Sequence, residues 1–128
     1  MKLLLDTHIW LWSKSDPSRL GKRAAEAIAS SANQLWLSPV SVWEVLTLAQ
    51  KRRIGIADPM KWVEMAASQM QEAPLTQEIV RASFALSLPH ADPADRFLAA
   101  TAKVLKLTLV TADQRLLGLG EIPSLANR

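Results

Sequence analysis

Four carboxylates, Asp6, Glu44, Asp95 and Asp113, stand where apolar runs stop or where an apolar helix should be buried. Asp6 ends Lys2-Leu3-Leu4-Leu5, and Asp113 follows Leu109-Val110-Thr111-Ala112. Glu44 interrupts the run from Val40 to Leu48, and Asp95 precedes Phe97-Leu98. A carboxylate is costly to desolvate unless something positive meets it. Four converging on one place repel one another unless a cation lies between them. Oxygen-only ligation in a chain without cysteine suits a hard ion, Mg²⁺ or Mn²⁺ rather than zinc. Such ions keep several waters and bind phosphates, which directs the chemistry toward phosphodiesters. His8 and His90 are accessory candidates, although His8 can equally pack beside Trp12 and His90 can lie in a loop.

Most of these acids also have a local role open to them. Asp92 before Pro93 reads as a helix N-cap, with Asp95 complementing the dipole at the third helical position. Asp6 and Asp113 can likewise cap the helices that follow them. Glu44 is the least cap-like. Val40 and Leu48, one turn to either side, are apolar, and no basic residue lies a turn away. A carboxylate in that stripe needs a buried cation or a raised pKa.

The elements that must position these groups follow from patterning. Lys2–Leu5 and Gln34–Ser38 predict short buried strands, and Leu107–Thr111 a third of the same kind. Ala73-Pro74-Leu75 predicts an edge-like strand and Ile122 a last one. Helices are expected from Thr7, from Asp16-Pro17 through to Ser31, from Pro39 or Ser41 to near Arg53, and from Pro59. Further helices are expected from Thr76 through Leu88, broken by Pro89, and from Asp92-Pro93 through Leu105, with a short turn at Leu116-Leu117. Short buried strands alternating with helices predict an α/β fold with a parallel sheet covered on both faces. In such sheets ligands bind beyond the carboxyl ends of the strands where strand order reverses. If the strands ending at Asp6 and near Asp113 are neighbours, their carboxylates lie side by side there.

At 128 residues the chain is expected to form one domain over 1–128. No apolar run approaches a membrane span, and the start Met1-Lys2-Leu3-Leu4-Leu5-Asp6 is too short and too soon acidic for a signal peptide. A cytoplasmic protein is expected. Net charge is +3, weak support for a polyanionic partner; acids drawn into one pocket would leave a more basic surface. Lys51-Arg52-Arg53 reads as a solvated helix end whose cations meet the C-terminal dipole. Trp10, Trp36, Trp43 and Trp62 lie in apolar stretches and read as core or dimer contacts.

Leu3-Leu4-Leu5-Asp6-Thr7-His8-Ile9-Trp10-Leu11-Trp12, Ser38-Pro39-Val40-Ser41-Val42-Trp43-Glu44, Leu88-Pro89-His90-Ala91-Asp92-Pro93-Ala94-Asp95-Arg96 and Leu109-Val110-Thr111-Ala112-Asp113 together resemble the PIN-domain ribonucleases. Within them the match is to VapC-type toxins of toxin–antitoxin operons. The resemblance spans nearly the whole chain and implies a three-layer α/β/α sandwich with a short, mainly parallel sheet. It also implies one or two Mg²⁺ or Mn²⁺ ions and endonucleolytic cleavage of RNA to 5′-phosphate and 3′-hydroxyl ends. By this match Asp6, Glu44, Asp95 and Asp113 are the metal-binding, catalytic acids and Asp92 an auxiliary. Thr7, Ser41 and Thr111 match polar groups that orient carboxylates or a water, and Arg96 one that holds a carboxylate or phosphate. Implied partners are an RNA substrate, a second copy or pair of dimers, and a cognate antitoxin whose tail covers the pocket; operator DNA is bound only through that antitoxin. Two departures stand out. Ala94 replaces an aromatic residue common in relatives, and Leu48 replaces a lysine, for which Lys51 or Arg52 are the candidate substitutes.

Two rivals are disfavoured by residues in view, the receiver domain standing as the lesser alternative. A signalling receiver domain needs an acidic pair after the first strand and a lysine ending a late strand, where Thr7 and Thr111-Ala112-Asp113 stand. A haloacid-type phosphatase needs an aspartate where His8 stands. A catalytically silent protein-binding module, its acids serving only as caps, stays open at the level of sequence.

Overall fold

The computed structural model describes residues 1–88 and 92–128. Pro89, expected to break a helix, and His90, an accessory candidate, lie outside the described residues. The order is β1 (Lys2–Leu5), α1 (Thr7–Ser15), α2 (Lys22–Ala29), β2 (Gln34–Leu37), α3 (Pro39–Gln50), α4 (Pro59–Ala67), β3 (Gln71–Glu72), α5 (Gln77–Ser83), α6 (Pro93–Leu105), β4 (Thr108–Thr111), α7 (Gln114–Leu117) and β5 (Ser124–Ala126). The strands form one sheet ordered β3-β2-β1-β4-β5, and every pair is parallel.

That order dictates the layers. From β1 to β2 to β3 the chain steps outward in one direction, and right-handed crossovers keep the intervening helices on one face. From β3 it returns past β1 to β4 and continues to β5, so the same handedness puts later helices on the opposite face. The core divides accordingly. Leu3 and Leu5 pack with Ile9, Trp10, Ala24, Val45 and Ala66, whereas Leu4 packs with Ile79, Leu98, Ala99, Ala102 and Leu109. A strand covered on both faces must be apolar at every position, which explains the unbroken Leu3-Leu4-Leu5. Strand order reverses between β1 and β4, where Leu5 is in register with Val110. Asp6 and Asp113 therefore leave the sheet at its switch point. No helix among the described residues is long and apolar enough to cross a membrane.

Several elements differ from expectation. The helix predicted from Asp16 to Ser31 is divided into a 3₁₀ turn at Pro17–Arg19 and α2. Gly21 lies between them because the C-terminal segment crosses there: a Cβ on Gly21 would sit 1.9 Å from the Arg128 carbonyl carbon. The Arg128 oxygen accepts from the Arg23 and Ala24 amides at 2.7 and 3.2 Å, satisfying the start of α2. The strand predicted at Ala73–Leu75 lies at Gln71–Glu72, and the last sheet bond is the Ala73 amide to the Leu37 carbonyl at 2.9 Å. Pro74 has no N–H with which to continue. The helix from Thr76 ends at Ser83, leaving Phe84 84% exposed. The last strand forms at Ser124–Ala126, and Ile122 joins the core instead. Trp43 is 63% exposed and so is not a core residue, unlike the fully buried Trp10.

Trp10 anchors α1, the helix that begins at the switch point. Its indole N–H donates to the Ala66 carbonyl at 3.2 Å, in the last turn of α4, where carbonyls lack helical partners. Its ring meets Trp62 with centroids 5.1 Å apart. Trp10→Phe keeps an aromatic ring but strands that buried carbonyl. Urea unfolding should show a loss of about 1–3 kcal/mol; unchanged stability would contradict the assignment.

Candidate active site

The site is built on two buried threonines. Asp6 caps α1, its Oδ1 accepting the Thr7 amide at 2.8 Å, while Oδ2 accepts the Thr111 hydroxyl at 2.6 Å. Thr111 ends β4, and its oxygen also accepts the Asp113 amide at 3.0 Å. The β1–β4 pairing is thus extended by a side-chain chain running from Asp113 through Thr111 to Asp6. The Thr7 hydroxyl donates to Glu44 Oε1 and lies 2.9 Å from Ser41 Oγ. Its single proton cannot serve both, so with Glu44 as its acceptor, Thr7 can receive the Ser41 proton. Glu44 projects from α3, whose start is fixed by Ser38 capping the Val40 amide at 3.1 Å and by Pro39 in the first turn. Asp95 sits in the first turn of α6, its amide held by the Asp92 carboxylate at 2.9 Å.

Asp6, Glu44, Asp92, Asp95 and Asp113 line one cavity of about 440 Å³, together with Thr7, His8, Trp12 and Arg115. Their electrostatics are those of crowded, partly dry anions. Burial pushes the Asp6 carboxyl up, opposed by the Thr111 hydroxyl and the Thr7 amide. Burial also raises Glu44, against its bond from Thr7, and the charges of Asp6 and Asp92 add to the rise. Asp95 is pushed up to about 7, first by burial and then by the charges of Asp92, Asp6, Asp113 and Glu44. Asp113 is lowered, above all by its hydrogen bond from Arg115.

Such a donor set fits a hard divalent cation. It is all oxygen, its negative charge far exceeds what one guanidinium offsets, and a cation is what would restore Asp95 to its ionised form. Among the described residues no three of the acids and histidines already stand as a ready-made ligand set for one ion. Two of the acids are instead drawn to Arg115, whose Nη2 lies 2.9 Å from Asp113 Oδ2 and 3.4 Å from Asp95 Oδ2.

The four acids singled out from sequence, with Asp92, are therefore brought together. Asp6, Asp92 and Asp113 are also helix caps, so capping does not keep them from lining the cavity. Thr7 and Thr111 touch carboxylates directly, and Ser41 reaches Glu44 through Thr7. His8 lines the cavity and packs on Trp12 with ring centroids 5.7 Å apart. Arg96, expected to hold a carboxylate or phosphate, instead donates to the Ser83 and Leu88 carbonyls at 3.0 and 2.7 Å, fastening the end of α5 to α6. Consecutive helical residues point about 100° apart, so Arg96 cannot share the direction of Asp95. Arg115 is absent from the sequence-predicted set; its only signal is a cation two residues after Asp113.

Thr111→Val leaves the Asp113 amide without an acceptor and Asp6 without its hydroxyl donor. Urea unfolding should register a loss of about 1–3 kcal/mol, and Thr111→Ser, which keeps the hydroxyl, should recover most of it. Equal stability of the valine variant and the wild type would refute the role given to Thr111.

Residues 3–121 match the family model of the PIN domain. The chain is 36% identical over 118 residues to ribonuclease VapC22 of Mycobacterium tuberculosis, covering 89% of this chain and 88% of that protein. Its fold resembles that of VapBC2 from Rickettsia felis bound to a promoter DNA fragment, with a TM-score of 0.78 over 98% of both chains at 12% identity. It also resembles a toxin–antitoxin complex from Klebsiella pneumoniae, with a TM-score of 0.71 at 24% identity over 98% of both chains. A domain match over nearly all of the sequence, on a parallel sheet with its acids at the switch point, makes this chain a member of the PIN-domain family.

Proposed function

We propose that this chain is a Mg²⁺- or Mn²⁺-dependent endoribonuclease, acting as one PIN unit over 1–128, and the toxin of a toxin–antitoxin pair. The observation that carries the reading is the meeting of acids from β1, α3, α6 and the end of β4 in one cavity at the sheet's switch point. The likeness to a ribonuclease across most of both chains supports RNA as the substrate class.

In this reading Asp6, Asp95 and Asp113 would hold the ion, with Glu44 as a further ligand, direct or through water, and Asp92 as auxiliary. An ion held there would supply charge neutralisation at the scissile phosphate and a water made nucleophilic at neutral pH. Thr111 and Thr7 fix the Asp6 and Glu44 carboxylates, so their orientation costs nothing further when substrate arrives. With the five cavity acids and Arg115 set aside, fourteen cations face seven acids over the rest of the chain, a balance suited to a polyanion. Leu48 is half-buried while Lys51 and Arg52 are exposed at the end of α3, so those two remain the candidate phosphate contacts.

The fold neighbours that are toxin–antitoxin complexes support an antitoxin partner, and a cytoplasmic location goes with an RNA substrate in this reading. An apolar groove of about 340 Å³ lined by Val40, Trp43, Leu75 and Phe97 supports a face covered by a protein, whether the antitoxin or a second copy.

Asp6→Asn and Asp95→Asn, each preserving shape, are expected to abolish RNA cleavage in Mg²⁺ or Mn²⁺ while circular dichroism stays that of the wild type. Full nuclease activity in a pure Asp6→Asn preparation would refute the reading. The raised carboxyl of Asp95 sets a pH dependence. A folded value of about 7, above the unfolded one, means a stabilising contribution present below about pH 4 and lost as pH rises through 7. A bound cation offsets that loss, so Mg²⁺ should raise the melting temperature more at about pH 8 than at about pH 5. Neither a melting shift nor RNA cleavage at either pH would point instead to a catalytically silent PIN module.

A further inference from the structure

Arg115 is the one cationic side chain among the described residues hydrogen-bonded to the cavity acids. Its Nε lies 3.3 Å from Asp113 Oδ1 and its Nη2 2.9 Å from Asp113 Oδ2, a forked grip on one carboxylate. The same Nη2 reaches 3.4 Å to Asp95 Oδ2, an acid twenty residues away on a different helix. A pairing within the α7 turn would be an ordinary local contact. The extension to Asp95 joins two of the elements that build the site, at oxygens a divalent ion would need.

The guanidinium is also loosely held, its side chain being 57% exposed, whereas Asp95 and Asp113 are 15% and 26% exposed. The acids are fixed by their places on α6 and at the start of α7, where Asp113 accepts the Arg115 amide at 2.9 Å. That backbone bond survives whatever the side chain does. The arm can therefore leave for solvent without unwinding α7, and exposed pairs of this kind are weak enough to exchange.

We propose that Arg115 is a built-in counter-ion, standing between Asp95 and Asp113 in the ion-free protein and displaced when the divalent ion binds, so that it sets the ion affinity of the site. The proposal rests on the metal-dependent reading above. Arg115 is in this role a positioning residue: it keeps two like charges from driving α6 and α7 apart before the ion arrives. It also raises the ion concentration at which the site loads, because the same carboxylate oxygens cannot serve both cations.

The test is calorimetric titration of the full chain with Mn²⁺ in the absence of RNA, comparing wild type with Arg115→Gln, Arg115→Lys and Lys61→Gln. Lys61→Gln removes the same unit of charge from an exposed position outside the cavity. Arg115→Gln should bind Mn²⁺ more tightly, by up to about fivefold, the upper end of what releasing an exposed ion pair gives, and its ion-free form should melt at a lower temperature. Arg115→Lys, with charge but no fork, should fall between, and Lys61→Gln should match the wild type. Unchanged or weaker binding by a correctly folded Arg115→Gln overturns the proposal while leaving the metal reading intact. Equal tightening by Lys61→Gln also overturns it, since the effect would then be general charge. If the wild type and all three variants bind no Mn²⁺, the metal reading falls and this proposal with it.

Discussion

The parallel pairing of β1 with β4 is the constraint on which the rest of the molecule depends. Strands 105 residues apart at Asp6 and Thr111 must lie side by side before the Thr111 hydroxyl can reach Asp6. Nothing local to either strand brings this about. It follows from the chain reversing direction after β3, which places β4 on the vacant side of β1 and sends α6 over the opposite face from α1 and α3. The switch point so formed is the one place on the sheet where acids from four separate segments can meet.

The cost of that meeting is visible in the protonation of the site. Asp6, Glu44 and Asp95 all favour the neutral form more than an ordinary carboxyl does, and in each case burial is the first cause. Asp113, the acid gripped by a guanidinium, is shifted the other way. A fold selected only for stability would have little reason to bury these groups around one cavity, since apolar side chains of similar volume would serve at least as well. The arrangement suits the cation of the proposed function, with Thr7 and Thr111 holding two of the carboxylates in place while Asp95 and Asp113 are still drawn to Arg115.

Much of this was legible in the amino-acid sequence, for identifiable reasons. Asp6 and Asp113 are readable because a charged residue ending a continuous apolar strand marks the sheet's upper edge. Glu44 is readable because its helical neighbours offer it no partner, and its actual partner, Thr7, comes from another element. What escaped the sequence depends on long-range docking. Arg115 looks like a local companion of Asp113, and only the placement of α6 extends its reach to Asp95. The break at Gly21 is imposed by Asn127 and Arg128 crossing α2, an encounter no pattern near Gly21 announces. Arg96 shows the converse error: adjacency to Asp95 suggests a shared role, whereas helical rotation sends it to the carbonyls at the end of α5.

Whether the acids converge on a cation is decided by anomalous diffraction from crystals grown with Mn²⁺. A manganese peak is expected about 2 Å from oxygens of Asp6, Asp95 and Asp113, with the Arg115 side chain moved away from Asp95. Crystals whose manganese peaks lie only elsewhere, with Asp95 and Asp113 still bridged by Arg115, would contradict it.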